Sequence, residues 1–205
     1  MTSYSRAERI ALCDLFDESG PEAPTLCTGW TTRDLAAHLF VRERRPLAAP
    51  GILLEPLSQI VEQSMDAAQD KHGYPQLIAK LRGGAPYWSP FRLLDSQLNL
   101  LEYFVHHEDV RRAQPGWTPR ELPMAEQDEL WSRLKGMVRL RTTKGAVGIL
   151  LQRADTGDVL RIRTGNGDVT MVGPVGELVM YAFGRKDVAR IDKHPDPQAG
   201  RREDP

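Results

Sequence analysis

Cysteine is scarce in this chain of 205 residues: Cys13 and Cys27 stand far apart and match neither a Cys-x-x-Cys redox motif nor a four-cysteine zinc pattern. That excludes a disulfide scaffold, and both are read as thiols in a reducing compartment. Long hydrophobic runs are also missing. No apolar stretch approaches the roughly 18–20 residues that cross a bilayer, and no basic-then-apolar leader opens the chain, so a cytoplasmic protein with no membrane partner is expected. Charge of one sign is lacking too. With 27 basic against 28 acidic residues the formal charge is −1, so nothing global draws the chain to nucleic acid or anionic lipid. The local basic runs, Arg42 to Arg45 and Arg139 to Lys144, read as solvated surface. There is no internal repeat.

What is present is enough apolar material, 40% of residues, for a real core. From Tyr4 to Ser19, Ile10, Leu12, Leu15 and Phe16 recur at helical spacing until Gly20-Pro21 stops them. Thr31 stands three residues before Asp34, a capping-box arrangement that starts a second helix carrying His38. Further helices are expected at about Pro56 to Gln69, Gln76 to Leu81, Phe91 to Ala113 and Ala125 to Val138. Character changes near Gly145. Gly145 to Leu151 and Val159 to Ile162 are strand-compatible runs flanking the turn Asp155-Thr156-Gly157-Asp158, and Val169 to Val172 adds a third strand. Pro174 then opens an apolar helix ending at Gly184. The expectation is a mainly α protein: a helical bundle over residues 1–142, a small α+β unit over 143–192 and a disordered tail over 193–205.

Glu102 and His106, four apart on the best-supported helix, stack on one face and can converge on one ion. An ionisable pair on an apolar face is costly to bury unless it is paired, hydrogen-bonded or metal-bound. Glu-x3-His alone is weak evidence, because most such pairs lie on the surface. His38, between Ala37 and Leu39, completes a His2Glu set, a recognised catalytic zinc arrangement with a fourth position left for water or substrate. A core histidine bonded to a backbone carbonyl is the plainer reading of His38. Asp34 either orients its ring or only caps the helix, and the face bearing Arg33 and Arg42 is expected to point outward. Asp109 is either a partner of His106 or a surface residue, and His107 points about a third of a turn away from His106. Cys27 is read as a small thiol of the loop, and Trp30 and Trp88 either line a pocket or cover helix ends.

The run from Cys27 to Leu39, Cys-Thr-Gly-Trp-Thr-Thr-Arg-Asp-Leu-Ala-Ala-His-Leu, resembles the signature opening the second helix of the mycothiol-dependent maleylpyruvate isomerase N-terminal domain. That domain is a DinB/YfiT-like metal-binding bundle. Glu102-Tyr-Phe-Val-His-His-Glu-Asp109 is similar to that family's Glu-x3-His-His-x-Asp element, and Gly176 to Arg185 resembles its C-terminal helix ending in Gly-Arg. The likeness spans roughly residues 5 to 190. Residues 41–57 depart from the isomerase and resemble an actinobacterial subgroup without an assigned reaction. The resemblance implies an up-and-down four-helix bundle, His38, Glu102 and His106 as metal ligands, and water in the remaining position. It also implies a low-molecular-weight thiol such as mycothiol as cofactor and Arg185 as the residue that binds or polarises the substrate, although a cation at a helix C-terminus explains Arg185 as well.

Zinc is the metal expected first, though nickel and iron accept the same ligands. Coordination removes a thiol proton and so prepares attack on an electrophile, which fits S-transfer or cis-trans isomerisation. Hydrolysis by a metal-bound water and a non-catalytic metal- or small-ligand-binding module stay open as alternatives. Monomer and homodimer are equally compatible with the sequence.

Overall fold

The structure, a computed structural model, describes residues 3–44, 58–86, 99–140 and 143–195. The chain divides into two compact units, Met1–Trp117 and Thr118–Pro205. The contacts therefore part after Trp117, whereas the change in sequence character falls after residue 142.

The first unit contains α1 (Tyr4–Ser19), α2 (Thr32–Arg44), α3 (Ser58–Lys71), α4 (Tyr74–Arg82) and α5 (Asn99–Arg111). The residues 91–98 expected to begin α5 lie outside the described residues. Ser3 caps α1 by accepting the amide of Arg6, and Gly20 ends it in a left-handed conformation at φ 74°. Leu12 and Phe16 on α1, Leu35 and Leu39 on α2 and Leu77 and Leu81 on α4 form one core with Tyr103 and Val110 of α5. α1 packs along α5, while α2 meets α3 and α4. Burying those Leu and Phe side chains stabilises the unit by about 1.5–3 kcal/mol each.

The capping box is built from one side. Asp34 Oδ2 accepts both the amide of Thr31, at 2.9 Å, and its hydroxyl, at 2.8 Å, while Oδ1 accepts from Gln69 of α3 at 3.0 Å. Asp34 thus joins two helices and starts α2, and its partners are not His38. Arg42 differs from expectation too. It is only 6% exposed, because its guanidinium reaches Asn99 of α5 at 2.6 Å instead of solvent.

The second unit contains α6 (Met124–Leu140), β1 (Thr143–Lys144), β2 (Gly148–Arg153), β3 (Val159–Thr164), β4 (Asp168–Gly173), α7 (Val175–Ala182) and β5 (Asp192–Pro195). The strands lie in the order β1-β3-β2-β4-β5. β2 and β3 form the expected antiparallel hairpin, and β4 returns parallel to β2. β5 pairs antiparallel with β4, so Asp192 to Pro195 are ordered by the sheet where composition alone suggested a tail. Their backbone is held by ladder bonds, which need no apolar periodicity. α7 begins after Pro174 and buries Val175, Leu178, Val179 and Met180 against α6, β2 and β4. No helix among the described residues is long and apolar enough to cross a membrane.

Candidate metal centre

The loop entering α2 is shaped by Thr25, whose hydroxyl donates to the carbonyl of Trp30 at 2.9 Å and accepts the amide of Cys27 at 3.1 Å. Gly29 supplies the left-handed turn, φ 77°, that this loop requires. The amide of Leu26 donates to the carbonyl of Asp109 at 3.0 Å and ties the loop to α5. Trp30 consequently lies against His38, with ring centres 5.1 Å apart.

His38 on α2 and His106 on α5 meet edge to face at 5.6 Å between centroids. Glu102 sits one turn before His106, its Oε2 3.5 Å from Nε2 of that ring. On the other side of the ring, Nδ1 of His106 lies 2.9 Å from Oδ2 of Asp109, and the Cys27 thiol donates to the same oxygen at 3.3 Å. A carboxylate on Nδ1 holds the ring so that Nε2 faces Glu102, the arrangement commonly found behind metal-binding imidazoles. His107 faces away, toward Glu8 of α1 at 2.8 Å, so helix register separates the two neighbouring histidines.

The electrostatics divide the two rings. Burial pushes His38 down to about 3, so its ring is neutral at physiological pH, and its Nδ1 is buried with no hydrogen-bond partner among the described residues. An orphaned buried nitrogen of this kind costs about 1–3 kcal/mol. Burial opposes a charge on His106 as well, but its contacts with Asp109, Cys27 and Glu102 outweigh it and raise the ring's proton affinity well above the usual value. Glu102 is held down to about 2, because Arg42 and His106 together overcome the burial that disfavours its charge. Its side chain is the most accessible of the three, at 28%. Arg42 Nε stands 3.7 Å from Oε2 of Glu102.

His38 and Glu102 thus each flank His106, but the three do not offer ligand atoms within 4.8 Å of one another, and Asp109 is fully buried on the other side of the His106 ring. Arg185 belongs to the second unit, where its Nη1 donates to the carbonyl of Phe183 at 2.7 Å and its amide to that of Met180 at 3.0 Å. Sequence reasoning missed Arg42 and Asn99, though the spacing held the signal: Arg42 is one turn beyond His38 and Asn99 nearly one turn before Glu102. Among the described residues, the set whose ligand atoms do lie within 4.8 Å of one another is Cys27, His106 and Asp109. Its members are already joined by the hydrogen bonds on Asp109 Oδ2.

No family model and no curated protein matches this sequence. Among solved structures, the crystal structure of the mycothiol-dependent maleylpyruvate isomerase resembles the chain with a TM-score of 0.52 at 15% identity, over 94% of this chain and 95% of that one. A histidine-to-alanine variant of that isomerase gives a TM-score of 0.53 over the same shares, again at 15% identity. At such identity the likeness is one of fold: a mainly helical protein with a C-terminal α+β part.

Proposed function

We propose that the chain is a divalent-metal protein, zinc by preference, that uses a low-molecular-weight thiol of the mycothiol type for S-transfer to, or cis-trans isomerisation of, an electrophilic small molecule. The observation that carries this reading is that His38 and Glu102 both lie beside His106, and that the buried Nδ1 of His38 has no hydrogen-bond partner among the described residues. Two imidazoles and one carboxylate are a donor set suited to zinc, with a fourth position for a small ligand. The fold of the isomerases supports the thiol. We further read α1, α2, α3 and α5 as the four-helix core, and Arg185 as the contact for the substrate's polar end, carried over from the Gly-Arg motif.

His38, Glu102 and His106 would hold the ion, which when bound supplies a Lewis acid able to leave a coordinated thiol deprotonated at neutral pH. Asp109 fixes the His106 tautomer by accepting from Nδ1. Arg42 keeps Glu102 ionised, and its bond to Asn99 holds the guanidinium beside that carboxylate. Trp30 packs against the His38 ring.

A second reading places the ion among Cys27, His106 and Asp109, favoured by their mutual proximity. It leaves the orphaned His38 nitrogen unexplained. Cobalt substitution tests the proposal: the wild-type protein should take up one cobalt, and added thiol should produce a sulfur-to-cobalt charge-transfer band that His38→Ala abolishes. Failure to bind cobalt, or a spectrum insensitive to thiol, would overturn it.

A further inference from the structure

The second unit holds a cavity of about 400 Å³ between α6, the hairpin strands β2 and β3, and the end of α7. That volume lies within the usual size range of small-molecule sites. Its walls include Ile149, Ile162, Phe183 and the ring of Tyr181, and among the described residues its charged lining is Arg163 and Lys186, with no carboxylate.

The charge imbalance is local. Elsewhere in this unit Arg161 is paired with Asp168 at 2.5 Å, and Arg153 with Asp128 at 2.7 Å and Asp155 at 2.6 Å. Arg163 instead donates its Nε to the carbonyl of Val147 at 2.8 Å, and its terminal nitrogens have no acidic partner among the described residues. Lys186 stands 5.9 Å from the centre of the Tyr181 ring and likewise meets no carboxylate among the described residues. Two cations with no carboxylate partner among the described residues, beside an apolar wall, favour an anion that carries its own apolar body. An inorganic anion, being strongly hydrated, gains nothing from the isoleucines and the aromatic rings.

We infer that this cavity binds an amphipathic carboxylate, a medium-chain or aryl acid whose body fills the apolar space and whose carboxylate pairs with Arg163 and Lys186. The inference concerns the second unit alone and stands apart from the metal centre.

Calorimetric titration of the intact protein with decanoate, decylammonium and inorganic phosphate tests it. Decanoate should saturate one site, while the other two give no saturable heat. Lys186→Ala changes an exposed side chain, and Arg163→Met keeps the stem against which Gly145 packs, where an added Cβ would stand 2.8 Å from Cδ of Arg163. Each should weaken decanoate by about tenfold, as loss of a charged hydrogen bond does, with an unchanged circular dichroism spectrum. Ile162→Trp should abolish binding by filling the space. Equal binding of decylammonium or phosphate, or decanoate affinity unchanged in both charge variants, would overturn the inference.

Discussion

Helices α5 of the first unit and α7 of the second are both enclosed, but by different chemistry. α7 buries Val175, Leu178, Val179 and Met180, and its one buried acid, Glu177, accepts the amide of Arg190 at 2.7 Å. α5 buries His106, His107, Glu108 and Asp109 in succession, each answered by a side chain of its own unit. Glu108 accepts from Arg111 at 2.7 Å and Arg112 at 2.5 Å, and Tyr103 donates to Glu43, which Arg9 approaches at 3.6 Å. Apolar residues of similar volume often hold a fold as well as such ion pairs do. α7 shows the apolar solution and α5 the ionic one.

The largest expected effect sharpens that contrast. Glu108→Ala leaves the Arg112 side chain, 1% exposed, without its carboxylate and should cost about 3–5 kcal/mol in urea denaturation. Arg161→Ala removes a pair of similar length from the surface of the sheet and should leave the midpoint unmoved. In the second unit the sensitive position is apolar instead: Leu178→Ala should cost about 2–5 kcal/mol through the cavity it opens. If the arginine variant proved the worse of these two, the comparison would fail.

Smaller effects concern aim and entry. Asp109→Asn should reduce zinc affinity about 10–100-fold in competition with a chelator, as removal of a carboxylate behind a metal-binding imidazole does. Asp34→Asn should cost about 1 kcal/mol at neutral pH, the usual worth of a helix cap. Burial tends to raise the Asp34 pKa, but its hydrogen bonds from Thr31 and Gln69 hold it below the ordinary 3.8. Its contribution is therefore complete above that value and is lost as pH falls through and below it. Denaturation midpoints of the two proteins should converge in that acid window and stay apart at pH 7.

Much of the fold could be read from periodicity and punctuation. Ile10, Leu12, Leu15 and Phe16 mark α1 to its last residue, and Asp155 to Asp158 mark the hairpin, because local geometry alone sets those patterns. β5 could not be read, since its order comes from pairing with β4 rather than from its own side chains. That His38 and Glu102 lie beside His106 was legible from helix spacing and motif likeness, whereas the close set of Cys27, His106 and Asp109 was not, because Cys27 reads as a small thiol of the loop until the loop is seen tied to α5. Arg42 was not, because a charged residue on a helix reads as solvated until its partner, Asn99, is seen across the interface. The unit division was likewise hidden: α6 has the amphipathic pattern of any bundle helix, and only contacts with α7 and β3 assign it to the sheet.

X-ray absorption spectroscopy of the zinc-loaded protein tests the central claim most directly. The account predicts a first shell of nitrogen and oxygen at about 2.0–2.2 Å with the outer-shell signature of two imidazoles, reduced to one in His38→Ala. A sulfur at about 2.3 Å in the absence of added thiol, or an imidazole count unchanged by that substitution, would contradict it and place the ion with Cys27.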